Sequence, residues 1–243
     1  MQISLLIPAR YQSSRFPGKP LVMLAGKTML RRCWERCAHV FPPQHIWIAT
    51  DDERIVDHCR ESGMQVLLTP ASCMTGTDRV AAAAKLITAD YYLSVQGDEP
   101  VIDPQDIAVT RDAALRSPGA ILNGFCPITD PRDHEDRKIP KVVFRQDRRL
   151  LYMSRSPIPG SKAPAKIQAC RQVCIYGFPP AALEVFASTG AKTPLEQLED
   201  IEILRFLELG YEVQMIPLST SSFSVDLPQD VLTAERLISQ RGL

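Results

Sequence analysis

The sequence has no excess of either charge: 28 lysines and arginines balance 28 aspartates and glutamates, so the formal net charge is zero. That removes the long-range field on which a non-specific nucleic-acid or polyanion binder relies, and any anion site must be built locally. No run of about 18 apolar residues occurs, so no membrane span is expected. The opening MQISLLIPAR is too short an apolar stretch, broken by Pro8 and Arg10, for a signal peptide, and a cytoplasmic protein is expected. Repeats and low-complexity tracts are missing as well. The seven cysteines are an odd number in a chain of 243 residues that can stand without covalent staples, which points to reduced thiols. Cys33, Cys37 and His39 have a spacing that helix-borne metal ligands can share, but no second paired cluster accompanies them, so they read as core packing and no zinc is assigned. What is present, 45% hydrophobic and 23% charged residues, excludes disordered, collagen-like and coiled-coil classes. The length fits one large α/β domain or a domain with a smaller appendage.

The first hundred residues alternate β-branched runs with amphipathic stretches, as βαβ units and a parallel sheet require. Strands are predicted at 3–7, 45–50, 65–69 and 91–95, and helices at 29–39, 53–62 and 79–88, the last with Asp78 as its cap. A helix at 104–116 and a strand at 121–127 follow, then a polar stretch at 129–138 without periodicity. KVVF and LLYM, separated by a turn at 146–149, predict a β-hairpin inserted into the sheet. The connection at 154–169 is longer than most and is expected to be functional or mobile. A strand at 173–178, a long helix at 194–209, a strand at 212–217 and a C-terminal helix from about residue 228 complete the reading.

Three segments carry chemistry. The loop after the first strand, IPARYQSSRFPGKPL, gathers Arg10, Arg15 and Lys19 with Ser13, Ser14 and Gly18 where a doubly wound sheet opens its ligand crevice. Three cations among small hydroxyls suit a polyphosphate; the alternative is a solvated basic loop shaped by its prolines. Neither common nucleotide loop is present. GxGxxG is missing, and Gly26-Lys27-Thr28 has Leu21 where a P-loop needs its first glycine. VQGDEP at 95–100 puts Asp98 at the carboxyl end of a strand, where a carboxylate can hold Mg²⁺ against phosphates or simply start a turn. MTGTDR at 74–79 is a helix start whose amides can be capped by its own side chains or grip a ligand.

Together, in this order and spacing, these segments resemble the CMP-3-deoxy-D-manno-octulosonate (CMP-Kdo) synthetases, or Kdo cytidylyltransferases. The match extends to KVV at 141–143, YxSRxxIP at 152–159, PLE and a later LExLR-like segment within 194–205, and a terminal VDxPxDL-like segment at 225–231. The resemblance implies an α/β fold with a Rossmann-like, mostly parallel nucleotidyltransferase sheet and a β-rich insertion used for homodimerisation. It implies a single domain, 1–243, with a CTP-binding half to about residue 127 and a sugar-binding and dimerisation half after it. It also implies activation of a 3-deoxy ulosonic acid with CTP, releasing pyrophosphate, for lipopolysaccharide or capsule synthesis. Arg10, Ser14, Arg15 and Lys19 would take the triphosphate, and Gly76, Thr77, Arg79 and Gln96 would surround cytosine and ribose. Lys19, Asp98 and Arg10 would be catalytic, with Mg²⁺ shared by Asp98 and Asp226. Arg155, Gln172, Tyr176 and Glu202 would meet the sugar. Neither nucleic acid nor membrane is an expected partner.

Departures concentrate in the sugar half. Gln172 stands where the family usually has histidine, and Ile203 where it has glutamine. A close variant of Kdo, such as its 8-amino form, is therefore an expected substrate, and a nucleotide-sugar binding or regulatory protein that kept only the CTP pocket is the alternative from another class.

Overall fold

The computed structural model describes residues 1–13, 15–162 and 168–243. β1 (Ile3–Pro8) is an unbroken buried run, as a strand covered on both faces requires. A basic loop, a 3-10 turn at Lys19–Leu21 and a small hairpin of β2 (Met23–Leu24) with β3 (Lys27–Thr28) lead into α1 (Met29–Ala38). Three strand–helix steps follow: β4 (Ile46–Thr50) with α2 (Glu53–Glu61), β5 (Gln65–Leu68) with α3 (Gly76–Ala84), and β6 (Tyr91–Val95) with α4 (Pro104–Arg116). Thr28, Asp52, Thr75 and Asp103 cap these helices, each side chain accepting from an amide that the first turn leaves unpaired.

The second half begins with β7 (Ile121–Pro127) and the one-turn α5 (Pro131–Glu135), then the hairpin β8 (Lys141–Phe144) and β9 (Leu150–Ser154). β10 (Cys170–Phe178), α6 (Pro180–Ser188), α7 (Pro194–Glu199), α8 (Ile203–Glu208), β11 (Val213–Pro217) and α9 (Asp230–Arg241) complete it. The main sheet runs β11-β7-β10-β6-β1-β4-β5, with the β8–β9 hairpin continuing from β10. It is mixed but mostly parallel: β1 pairs in parallel with β4 and β6, β4 with β5, and β7 with β11, while β10 runs antiparallel between β6 and β7. Alternate residues of β1 feed opposite faces, with Leu5 and Ile7 in one apolar core and Leu6 in the other. Among the described residues no helix is long and apolar enough to cross a membrane.

The chain leaves β1 towards β4 and β5 and then returns to β6 on its other side, so the strand order reverses between β1 and β6. Ligands of such sheets bind at the carboxyl ends of the strands flanking that reversal. Here the loops after β1 and β6 are pressed together: a Cβ on Gly97 would lie 3.0 Å from the Pro8 carbonyl oxygen.

Several boundaries differ from the sequence reading. The helix expected at 194–209 is two helices, because Asp200 ends α7 in the left-handed region (φ 51°) and redirects the chain so that Ile201 is buried. α3 starts at Gly76 rather than 79 and is capped by Thr75; Asp78 completes the box by accepting from the Thr75 amide. α6 was not expected, although Pro180 opens it at a position where proline is favoured. A short helix, capped by Asp130 and opened by Pro131, also forms inside the polar stretch. All seven cysteines are free thiols, with Cys33 and Cys37 in the core.

Candidate active site

A cleft opens at the strand-order reversal. Its lining comes from Arg10, Ser13, Arg15 and Lys19 after β1, from Cys73 to Gly76 with Arg79 at α3, and from Gln96 to Asp98 after β6. Lys192, Asp200, Glu202 and Asp226 arrive from the carboxyl-terminal third.

Lys19 is the meeting point of two carboxylates from distant parts of the chain. Its Nζ lies 2.6 Å from Asp98 Oδ2 and 3.6 Å from Asp226 Oδ1, and Arg15 Nη2 lies 3.4 Å from that same Asp226 oxygen. Burial disfavours the Lys19 ammonium, but Asp98 and then Asp226 outweigh burial and hold its pKa above the ordinary lysine value. Asp226 reaches this position because the Val225 amide donates to the Asp98 carbonyl at 3.0 Å and Val225 is fully buried. The Asp230 carboxylate then accepts from the Asp226 and Leu227 amides, fixing the turn. A cation therefore already sits between the two carboxylates. Two hard oxygen donors facing one positive charge are what Mg²⁺ takes from a protein when phosphate oxygens and water complete its shell. No cluster of three or more metal-ligating side chains occurs among the described residues.

Glu99, next to Asp98, points into the fold instead. Burial, with Asp98 adding to it, pushes its carboxyl up to about 8, and its Oε2 has no hydrogen-bond partner.

The start of α3 is held by Glu202. Its carboxylate accepts from the Gly76 amide at 2.9 Å and the Thr77 amide at 2.8 Å, so these amides are already satisfied by the protein. Burial raises the Glu202 pKa, while these hydrogen bonds oppose the rise. A Cβ on Gly76 would lie 2.9 Å from Gln96 Nε2 and 3.3 Å from Glu202 Oε1, so any larger residue there must push these two side-chain ends aside. Behind this turn Arg79 is buried, donating to Thr69 Oγ1 at 2.7 Å and pairing with Asp51 at 3.1 Å.

The site residues expected from sequence are thus distributed unevenly. Arg10, Arg15, Lys19, Gly76, Arg79, Gln96, Asp98, Glu202 and Asp226 line one cleft. Ser14 lies outside the described residues, as does the centre of the long 154–169 connection. Thr77 is buried beneath the turn. Arg155 stands behind the rim with its guanidinium spent on the carbonyls of Arg137, Lys138, Glu199 and Asp200. Gln172 is buried, donating to Asn123 Oδ1 at 2.9 Å and to the Tyr176 hydroxyl at 3.4 Å. None of Arg155, Gln172 and the buried Tyr176 lines the cleft, and Ile203 is wholly within the core. Lys192, Asp200 and Cys73 line the cleft without having been expected from the sequence; the first two flank the PLE motif, and Asp200 is itself the unforeseen break that ends α7.

Comparison with known proteins follows the same lines. Residues 4–215 match the model of a family described as cytidylyltransferase. The chain is 38% identical over 254 residues to the 3-deoxy-manno-octulosonate cytidylyltransferase of Syntrophotalea carbinolica, with all of both chains covered. It is 36% identical to the 8-amino-3,8-dideoxy-manno-octulosonate cytidylyltransferase of Shewanella frigidimarina, covering 97% of this chain and 98% of that one. The solved structure of CMP:2-keto-3-deoxy-manno-octonic acid synthetase complexed with CTP superimposes with a TM-score of 0.92 at 30% identity, covering 99% of this chain and 100% of that one.

Proposed function

The chain belongs to the cytidylyltransferase family, and we propose that within it this protein transfers the cytidylyl group of CTP to a 3-deoxy-manno-octulosonate-type sugar acid, releasing pyrophosphate. The observation that carries this reading is the convergence of Asp98 and Asp226 on Lys19, beside the loop that bears Arg10 and Arg15. A binder or regulator would have no need of that arrangement.

The anomeric hydroxyl of the sugar loses its proton to solvent water and its oxygen attacks the α-phosphorus in line, while the bond from that phosphorus to the bridging oxygen breaks and pyrophosphate departs. Arg10 and Arg15 hold the triphosphate. Lys19 neutralises charge that grows at the α-phosphate and on the leaving group. Gly76 and Gln96 border the base and ribose, and Thr77 and Arg79 support their turn from behind. Asp98 and Asp226 would hold a magnesium ion, which when bound supplies positive charge to the phosphates and acidifies the attacking hydroxyl. No side-chain nucleophile is required, so catalysis is positioning and charge stabilisation.

The grounds for a modified sugar weaken here. Gln172 and Ile203, the departures that suggested one, are buried away from the cleft lining, so the plain Kdo acid is the proposed substrate. The protein is further proposed to act in the cytoplasm, in a pathway to lipopolysaccharide or capsule, and as a homodimer through the β8–β9 hairpin, where Leu151 is exposed. The test is pyrophosphate release with CTP, Mg²⁺ and a panel holding Kdo, its 8-amino form and a neutral hexose, with ATP replacing CTP as control. CTP-dependent release with Kdo is expected. Absence of release with every ulosonic acid refutes the activity, and better use of the 8-amino form refutes the choice of sugar.

A further inference from the structure

The second substrate of this reaction is itself an anion, and a cation in the cleft besides those that meet the triphosphate matches its carboxylate. Arg10, Arg15 and Lys19 share the loop after β1 and are assigned to the triphosphate in the reading above. Arg79 is pinned beneath the turn by Asp51 and Thr69. Arg155 has its guanidinium committed to four backbone carbonyls. Among the described residues that line the cleft, Lys192 is the cation left over.

Lys192 is held in place rather than waving in solvent. Its Nζ lies 2.6 Å from Asp200 Oδ1, and its side chain is 18% exposed against 71% for Asp200. Asp200 occupies a left-handed conformation that aspartate tolerates better than most residues but still disfavours. Arg155 secures that conformation by donating to the Asp200 carbonyl at 3.0 Å and the Glu199 carbonyl at 2.6 Å. The fully buried Lys141 in turn donates to the Arg155 carbonyl at 2.7 Å. A strained residue, braced from behind and projecting into a cleft, is the kind of backbone outlier that functional sites maintain. Because Asp200 is largely exposed, its pairing with Lys192 is weak and readily exchanged.

We infer that Lys192 is the carboxylate-reading residue for the sugar acid, with Asp200 as its resting partner and Arg155 as the positioning residue that sets the pair at the rim. The incoming carboxylate replaces Asp200 at the ammonium, and Asp200 turns to the sugar's hydroxyls. This rests on the cytidylyltransferase reading above.

The experiment is steady-state pyrophosphate release by the full chain with Kdo and with its methyl ester, which lacks the negative charge. Lys192→Met is expected to raise KM for Kdo by about tenfold or more while leaving KM for CTP within about twofold, and Lys192→Arg to recover most of the loss. The ester is expected to be a poorer substrate than Kdo for the wild type but not for Lys192→Met, because the charge it lacks then has no partner. A melting temperature matching the wild type separates this from misfolding. If the wild type uses Kdo but Lys192→Met keeps its KM within twofold, raises KM for CTP equally, or still discriminates against the ester, the inference fails and the activity stands. If the wild type uses no ulosonic acid, both fail.

Discussion

The turn that opens α3 and lines the cleft hangs on one buried arginine, and its removal makes a demanding test. Arg205 on α8 is wholly buried; Nε and Nη2 donate to the two oxygens of Glu196 at 2.6 and 2.7 Å, and Nη1 donates to Asp78 Oδ1 at 2.9 Å. Its guanidinium also stacks 3.6 Å over the Phe186 ring. Glu196 and Asp78 have side chains only 1% and 12% exposed, so Arg205→Met leaves two carboxylates in a poorly solvated place with no counter-charge. Removing one partner of a buried ion pair costs about 3–5 kcal/mol. For a chain of this size that corresponds to a fall of roughly 10 °C in Tm, at about 2–4 °C per kcal/mol. Denaturant and thermal melts read the effect. Arg205→Lys should recover only part, because one ammonium cannot reproduce the two-pronged contact with Glu196 while still reaching Asp78. Adding Glu196→Gln to Arg205→Met should also recover part, by removing one stranded charge. A loss below about 1 kcal/mol for Arg205→Met would show that water or rearrangement compensates, and the hub assigned to Arg205 would be wrong.

Lys19→Ala should lower kcat by about a hundredfold or more, the scale of losing a charge stabiliser at a reacting phosphate; near-normal turnover removes Lys19 from the mechanism. Gly76→Ala should raise KM for CTP by roughly tenfold, since the added methyl crowds Gln96 and Glu202, and an unchanged KM means the turn yields freely. Glu99 supplies a pH test on protein freed of divalent cations. Its folded pKa, about 8, lies above its ordinary 4.5, so its contribution to stability is full below about pH 4.5 and is lost as pH rises through 8. The loss is on the order of a few kcal/mol. Glu99→Gln should flatten that slope, and an identical slope in the variant refutes the assignment.

What the sequence revealed and what it concealed have different physical origins. The loops after β1 and β6 were legible because glycines, prolines and charges punctuate buried β-branched runs, and strand alternation sends both loops to one edge. Asp226 was legible only through the motif around it; nothing local brings it to Asp98, and the bond from the Val225 amide to the Asp98 carbonyl is a tertiary event. The break at Asp200 was invisible because residues 194–209 carry helical periodicity throughout, and a left-handed aspartate is stabilised by Arg155 from another element. Glu202 looked like either a solvated helix charge or a sugar contact, and its link to the α3 amides could not be read from either segment alone. Gln172 and Ile203 were expected to face the sugar because substitution was visible but orientation was not. The β10 register shifts between Val173 and Tyr176, so simple alternation along this strand cannot assign a face to Gln172.

The same cluster makes a final prediction, about binding rather than turnover. Lys19 cannot serve Asp98 and a triphosphate at full strength together: at 2.6 Å from Asp98 and with only 15% of its side chain exposed, it has little charge to share. In protein without divalent cations, an arriving CTP must draw Lys19 away from that carboxylate and then lie close to two negative groups, Asp98 and Asp226. Asp98→Asn keeps the shape, frees the ammonium and removes one repulsion, so it should bind CTP more tightly than the wild type when no divalent cation is present. An exchange of one partly buried charge-assisted hydrogen bond is worth about 1.5–3 kcal/mol, or roughly tenfold or more in Kd. With Mg²⁺ added the order should reverse, because the variant has lost one of the two carboxylates proposed to hold the ion. Titration calorimetry in chelator and then in Mg²⁺ reads both arms without turnover. If Asp98→Asn binds metal-free CTP no better than the wild type, Asp98 does not restrain Lys19, and the exchange of partners around this lysine is refuted.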